Sequence, residues 1–154
     1  MAIAPTVSGY LQSRHVSYDV IMHAYSDSTR KVAETAHVPP KQLAKAVILN
    51  DRRGFLMAVV PSDRHVSLND LWKKLGRRLS LAPESRIVPV FRDCESGAIP
   101  PLGPAYGMDT IVDDSLVGQP EVYFESGDHR GLIRVGGEEF LALLRDAMYG
   151  QFAH

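Results

Sequence analysis

The chain has 154 residues, a formal net charge of −1, 45% hydrophobic and 23% charged residues, and one cysteine. That length suits one domain over 1–154 with a single core, and the composition is that of an ordinary globular protein. The near-zero charge argues against a strongly basic, non-specific nucleic-acid binder, and no DNA partner is expected.

The remaining exclusions are compartmental. The lone Cys94 leaves no intrachain disulfide, so a reducing cytoplasm is the expected location. No apolar run approaches the ~20 residues of a membrane helix. The start, "MAIAPTVSGY", lacks the basic region and apolar segment of a signal peptide.

In chain order, Pro5 ahead of "TVSGYLQSR" predicts a short first helix. The alternation in "VSYDVIM" (16–22) predicts a strand. Ser26, Asp27 and Ser28 are capping residues for a helix whose small apolar face is Val32, Ala33 and Ala36. Pro39 and Pro40 end it and open a short turn. "AVILN" (46–50), "DRRG" and "FLMAVV" (55–60) predict a β-hairpin. "SLNDLWKKLG" is the clearest helix: Ser67 caps it, Leu68, Leu71, Trp72 and Leu75 form one face, and Gly76 stops it. "PESRIVPVF" predicts a helix opened by Pro83, with Pro89 working against its second half. "DTIVDD", "EVYFES" and "GLIRV" predict strands. The amphipathic end "GEEFLALLRDAM" predicts a helix with Phe140, Leu143, Leu144 and Met148 facing inward. Helices and hairpins mix without strict β-α-β alternation, so the expected class is mixed α/β (α+β) around a mixed or mainly antiparallel sheet.

Three stretches could carry chemistry. Lys45 enters the apolar strand, where its stem packs and its ammonium is held in a cleft. In "CESGAIPPLG" (94–103) the glycines let backbone approach a ligand, and Pro100-Pro101 stiffen the run. The N–H groups of Gly97, Ala98 and Ile99 are then expected to be free to face an oxyanion. "SGDHRG" (126–131) is a tight turn carrying His129. Taken alone, each has an ordinary explanation: a snorkelling lysine, a surface turn, a hairpin turn with an exposed histidine. The six histidines form no close ligand pair, so no metal is expected. Asp113 and Asp114 could hold an ammonium or cap a turn. "WKKLGRR" could meet a phosphate backbone, whereas Arg52-Arg53 reads as a solvated face.

As an ordered set, "LAKAVIL", "GAIPPLG" and "GDH" resemble the YbaK and prolyl-tRNA synthetase-associated domain family, over about 15–144. "TAHVPPKQLAKAVIL" and "CESGAIPPLG" look most like its free-standing members. The resemblance implies a barrel-like mixed sheet flanked by helices. It implies a trans-editing enzyme without cofactor or metal that hydrolyses the ester joining a wrong amino acid to tRNA, often tRNA(Pro). By resemblance Lys45 is the essential lysine, Gly97, Ala98, Ile99, Pro100 and Pro101 form the substrate-holding loop, and Gly127 and His129 line the same pocket. His23-Ala24 stands where many members have His-Pro, which makes His23 a further pocket residue. The implied partner is the acceptor end of an aminoacyl-tRNA. The near-neutral charge predicts weak binding of free tRNA, helped transiently by a synthetase or elongation factor, and a monomer is expected because no seam or long exposed apolar helix asks for a second copy. Two other readings stay open: a non-catalytic module binding the tRNA end, and a hydrolase of another small ester.

Overall fold

A computed structural model describes residues 3–26 and 29–154. Pro5 sits at the first position of α1 (Pro5–Ser13), where a missing N–H is harmless, and the helix buries Val7 and Leu11. Strand β1 (Asp19–Met22) is shorter than the predicted 16–22. Helix α2 (Thr29–Thr35) buries Val32. Of its three expected caps, Asp27 and Ser28 lie outside the described residues.

The predicted hairpin forms as β2 (Ala44–Asp51) and β3 (Gly54–Pro61), paired antiparallel from Ala44↔Pro61 to Asp51↔Gly54. Helix α3 (Leu68–Leu75) starts where the Ser67 side chain accepts from the Asp70 N–H at 3.1 Å. It ends at Gly76, left-handed at φ 67°. Its apolar face is only partly used: Leu71 is buried, but Leu68 and Trp72 are 37% and 44% exposed.

The two-residue β4 (Ser80–Leu81) follows, and then α4 (Glu84–Ile87), which stops two residues before Pro89. Further on come β5 (Thr110–Asp113), β6 (Glu121–Glu125), β7 (Gly131–Gly136) and α5 (Gly137–Leu143). The last expectation needs correcting at its end. The helix stops at Leu143, and Met148 belongs to β8 (Met148–Gly150), where it is 40% exposed. The apolar spacing continues past Leu144, but the backbone there leaves the helix to pair with β5.

The strands form two sheets, β1-β7-β6 and β4-β2-β3-β5-β8. β3–β5 and β5–β8 are parallel and the other pairs antiparallel. The sheet is therefore mixed, as the sequence predicts. A parallel bridge between Leu43 and Tyr123 joins the two sheets on one side, and the barrel does not close.

The main core lies between the sheets. Ile48, Met57, Val59 and Val112 from one meet Val122, Phe124, Ile133 and Val135 from the other, with α1 and α5 closing the ends. A second cluster under α3 holds Leu49, Leu56, Ala58, Val60 and Leu71. A third joins α2 to Leu43 and Leu132. Among the described residues no helix is long and apolar enough to cross a membrane.

Candidate active site

Strand alternation puts Leu43, Lys45, Val47, Leu49 and Asp51 on the face of β2 turned away from the main core. Lys45 is half-buried there, and among the described residues its ammonium has no hydrogen bond or ion pair. Burial pushes its pKa down from the ordinary lysine value, and the charge of Asp63 opposes that. Lys45 lies two residues past the Leu43–Tyr123 bridge, and Glu125 lies two residues past it on the parallel chain.

Glu125 ends β6 and leads into the turn 126–130. Asp128 shapes this turn, its Oδ1 accepting from the N–H groups of Arg130 and Gly131 at 2.9 and 3.0 Å. His129 stands in the left-handed region at φ 61° and is 3% exposed. It is a buried histidine, not the exposed one that an isolated hairpin turn would carry. Its Nε2 donates to the Ser96 carbonyl at 2.5 Å. A carbonyl only accepts, so Nε2 carries a proton, and the buried Nδ1 has no hydrogen-bond partner among the described residues.

That bond ties the turn to the "GAIPPLG" loop. Ala98 N–H donates to the Glu95 carbonyl at 3.0 Å, and Gly97 between them has φ 81°. These are the marks of a type II turn over Glu95–Ala98, which requires a glycine-like φ at its third position. One expectation is corrected here. The Ala98 N–H is occupied by the turn and cannot meet an oxyanion. Those of Gly97 and Ile99 have no partner among the described residues. Ala98, Pro100 and Pro101 are buried, so they anchor the loop while Gly97 stands exposed. The Ser96 hydroxyl adds a second tie, donating to Glu84 of α4 at 2.7 Å.

Gly127, at φ 118°, is wedged against Ala4 and Cys94; a Cβ there would lie 3.0 Å from the Ala4 Cβ. Its carbonyl accepts from the Glu95 N–H at 2.7 Å. His23 joins the same end of the sheet, because its N–H donates to the Arg130 carbonyl at 2.9 Å. Its Nδ1 donates to the Ala24 carbonyl at 2.7 Å, and its buried Nε2 has no partner among the described residues. His23, Gly97, Ala98, Gly127 and His129 are thus knit together by backbone and imidazole bonds. Among the described residues Lys45 is connected to them through the β2–β6 junction.

A family model described as an aminoacyl-tRNA editing domain matches residues 23–143. The chain belongs to the aminoacyl-tRNA editing domain family. That membership makes it a hydrolase of aminoacyl-tRNA esters. It is similar to the proline–tRNA ligase of Thermosipho africanus (strain TCF52B), 34% identical over 65 residues, which is 42% of this chain and 12% of the ligase's length. Two solved structures share the fold. One is a candidate trans-editing enzyme for prolyl tRNA synthetase, with a TM-score of 0.83 and 24% identity over 100% of this chain and 98% of that one. The other is protein APE2540, with a TM-score of 0.84 and 19% identity over 97% and 99%.

One buried carboxyl is absent from the site residues that the sequence suggests. Glu125 is 2% exposed, and among the described residues neither of its oxygens has a hydrogen-bond partner. Burial, reinforced by the charge of Asp128, pushes it up to about 8. The available signal was one acidic residue closing an apolar strand, on the face that Leu132 and Tyr123 share with α2.

Cys94 has the opposite character to a nucleophile. Burial pushes its thiol up to about 12, even with Tyr106 Oη 3.2 Å from Sγ. Asp93 beside it accepts from the Thr6 N–H and the Tyr106 hydroxyl, both at 2.9 Å, so it caps α1 from across the fold. Asp113 is likewise consumed by structure: it accepts from the Phe152, Ala153 and Ser115 N–H groups at 2.9–3.0 Å. Among the described residues no group of three or more His, Cys, Asp or Glu is placed to hold a metal ion.

Proposed function

We propose that this editing domain acts in trans to remove a small, wrongly attached amino acid from tRNA(Pro) or a related tRNA. The candidate cargo is alanine, serine, cysteine or 2-aminobutyrate. The observation that carries the reading is the set of buried, unpartnered polar groups at one end of β6 and β7: His23 Nε2, the Glu125 carboxyl and His129 Nδ1. Buried polar groups are nearly always hydrogen-bonded, so a cluster left open is a site waiting for a ligand's donors. An aminoacyl ester brings such donors in its amino group and the ribose hydroxyl.

An aminoacyl ester is already activated, so the reaction needs a placed water and a stabilised oxyanion, and no enzyme nucleophile. The inert Cys94 thiol accords with that. The Gly97 and Ile99 N–H groups are assigned to the developing oxyanion; losing one such donor typically costs ~100- to 1,000-fold in rate. Ala98, Pro100 and Pro101 hold the loop in shape. Lys45 is cast as an anchor for phosphate or carbonyl oxygens at the terminal adenosine. Gly127 lets the loop and turn approach, and His23 and His129 are assigned to the substrate through their unpartnered ring nitrogens. Exclusion of larger side chains is steric, and one methylene is worth only ~1–3 kcal/mol to an apolar pocket. The near-neutral charge accords with weak binding of free tRNA by a monomer assisted by a synthetase or elongation factor in the cytoplasm.

The test is a panel of mischarged tRNAs with the wild type and Lys45→Ala. Release of a small amino acid from tRNA(Pro) by the wild type, lost in a folded Lys45→Ala, is expected. No release above background from any charged tRNA would overturn the proposal.

A further inference from the structure

The fold collects arginines that are scattered along the chain. One open groove of about 850 Å³ is lined by Arg52 and Arg53 of the β2–β3 turn, Arg77 and Arg78 after α3, and Arg86 of α4. Asp51 is the only carboxylate in its lining, and Arg77 takes both of its oxygens at 2.7 and 2.8 Å. The other four arginines are exposed and make no ion pair among the described residues. Two are held by aromatic rings. The Arg78 guanidinium lies 4.6 Å from the centre of the 44%-exposed Trp72 ring, and that of Arg86 lies 5.5 Å from the Phe55 ring. Stacking fixes a guanidinium and leaves its N–H edge free, which is how arginine meets phosphate oxygens. The two runs "DRRG" and "WKKLGRR", separate in sequence, become one cationic surface.

Its position relative to the candidate active site is also given by the fold. Lys45 and Asp51 share one face of β2, six residues and roughly 20 Å apart. Helix α4 supplies Arg86 to the groove, and two residues earlier its Glu84 holds Ser96 of the substrate loop. We propose that the groove holds the phosphate backbone of the RNA duplex adjoining the aminoacylated 3′ end, so that Arg52, Arg53, Arg78 and Arg86 supply the affinity for the stem. This rests on the function proposed above. Double-stranded RNA is recognised mostly through shape and backbone, and a groove of arginines with one neutralised carboxylate suits that form of contact. The small net charge is no obstacle, because the positive charge is local.

The probe is an uncharged RNA hairpin with the acceptor stem and single-stranded end of tRNA(Pro), followed by fluorescence anisotropy. Four phosphate contacts, one per arginine and each contributing a slope of ~0.7–0.9 in log Kd against log salt, weaken binding about 50- to 150-fold from 50 to 200 mM KCl. The double variant Arg52→Ala/Arg53→Ala leaves two contacts, and the same change of salt then costs about 7- to 12-fold. Arg78→Ala/Arg86→Ala, on a different wall, should act in the same direction, with folding of both checked by thermal melts. On charged substrates, the ratio of kcat/KM for the aminoacyl hairpin over aminoacyl-adenosine should fall in both variants. Wild-type affinity and salt slope in both variants would overturn the proposal, as would loss of binding to polyglutamate but not to RNA, which would make the groove a seat for an acidic protein. If arginine-dependent RNA binding holds while no charged tRNA is deacylated, the proposed reaction fails and the groove stands.

Discussion

Replacing Glu125 by glutamine should make the protein more stable at neutral pH. The carboxyl is 2% exposed with both oxygens unbonded, and it is pushed from an ordinary 4.5 up to about 8. In the unfolded chain it returns to water and to its ordinary value. Below pH 4.5 both states are protonated, and the group adds no pH dependence. Between pH 4.5 and about 8 the unfolded state has released the proton and the folded state keeps it, so stability falls as pH rises. Each pH unit in that window is worth ~1.4 kcal/mol, so the penalty reaches about 3 kcal/mol by pH 7. Glutamine has the same shape and no proton to lose, so Glu125→Gln should recover most of that amount. Urea unfolding followed by circular dichroism at pH 5, 6, 7 and 8 reads it directly. The variant and wild type should nearly coincide at pH 5 and separate steadily above it. Parallel pH profiles for the two would refute the reasoning. If the carboxyl also serves the substrate, the same variant deacylates more slowly while being harder to unfold, the trade expected where a site is kept strained for use.

Three further outcomes follow from local geometry. Gly103→Ala puts a Cβ 1.9 Å from Thr110 Oγ1, so it should cost about 1–3 kcal/mol in a thermal or urea melt, and Thr110→Ala should return part of that loss. His129→Ala removes the donor to Ser96 and places alanine at φ 61°. Residues 94–99 should then exchange amide hydrogen faster, with deacylation reduced; unchanged exchange would show that the tie is idle. Cys94, pushed up to about 12, is almost entirely thiol at neutral pH and should react with a disulfide reagent far more slowly than free cysteine until urea exposes it.

The parts of the fold that were legible in the sequence are those whose cause is local. Ser67 and Gly76 bound α3 because a side-chain cap and a left-handed stop need no distant partner. The β2–β3 hairpin follows from two apolar runs and a short polar turn. β8 was not legible, because its cause is distant: Met148, Tyr149 and Gly150 are strand only by pairing with Ile111, Val112 and Asp113. Trp72 has the spacing of a core residue and lies exposed, because Leu71 and Leu75 are the α3 residues that reach the cluster beneath, and Arg78 covers the ring instead.

The candidate site divides the same way. Lys45 and the glycine-proline loop stand out by residue type and order. The occupied Ala98 N–H and the buried Glu125 do not, because one depends on a turn type and the other on which strands flank β6. The two that were missed also bear most on the chemistry. Under the proposed function, with Ala98 satisfied internally, the donors left for an oxyanion are Gly97 and Ile99, on either side of a buried residue, so their spacing is fixed by Ala98 and not by the loop's freedom. His129 fixes the same turn from the other side through Ser96, and Glu84 holds its hydroxyl. A loop clamped at three points does not need a substrate to order it. The binding energy of a small amino acid is slight, and a site that had to spend it on ordering a loop would have little left for rejecting the correct one. Pre-assembly of this kind is what the proposed discrimination, resting on one or two methylenes, requires.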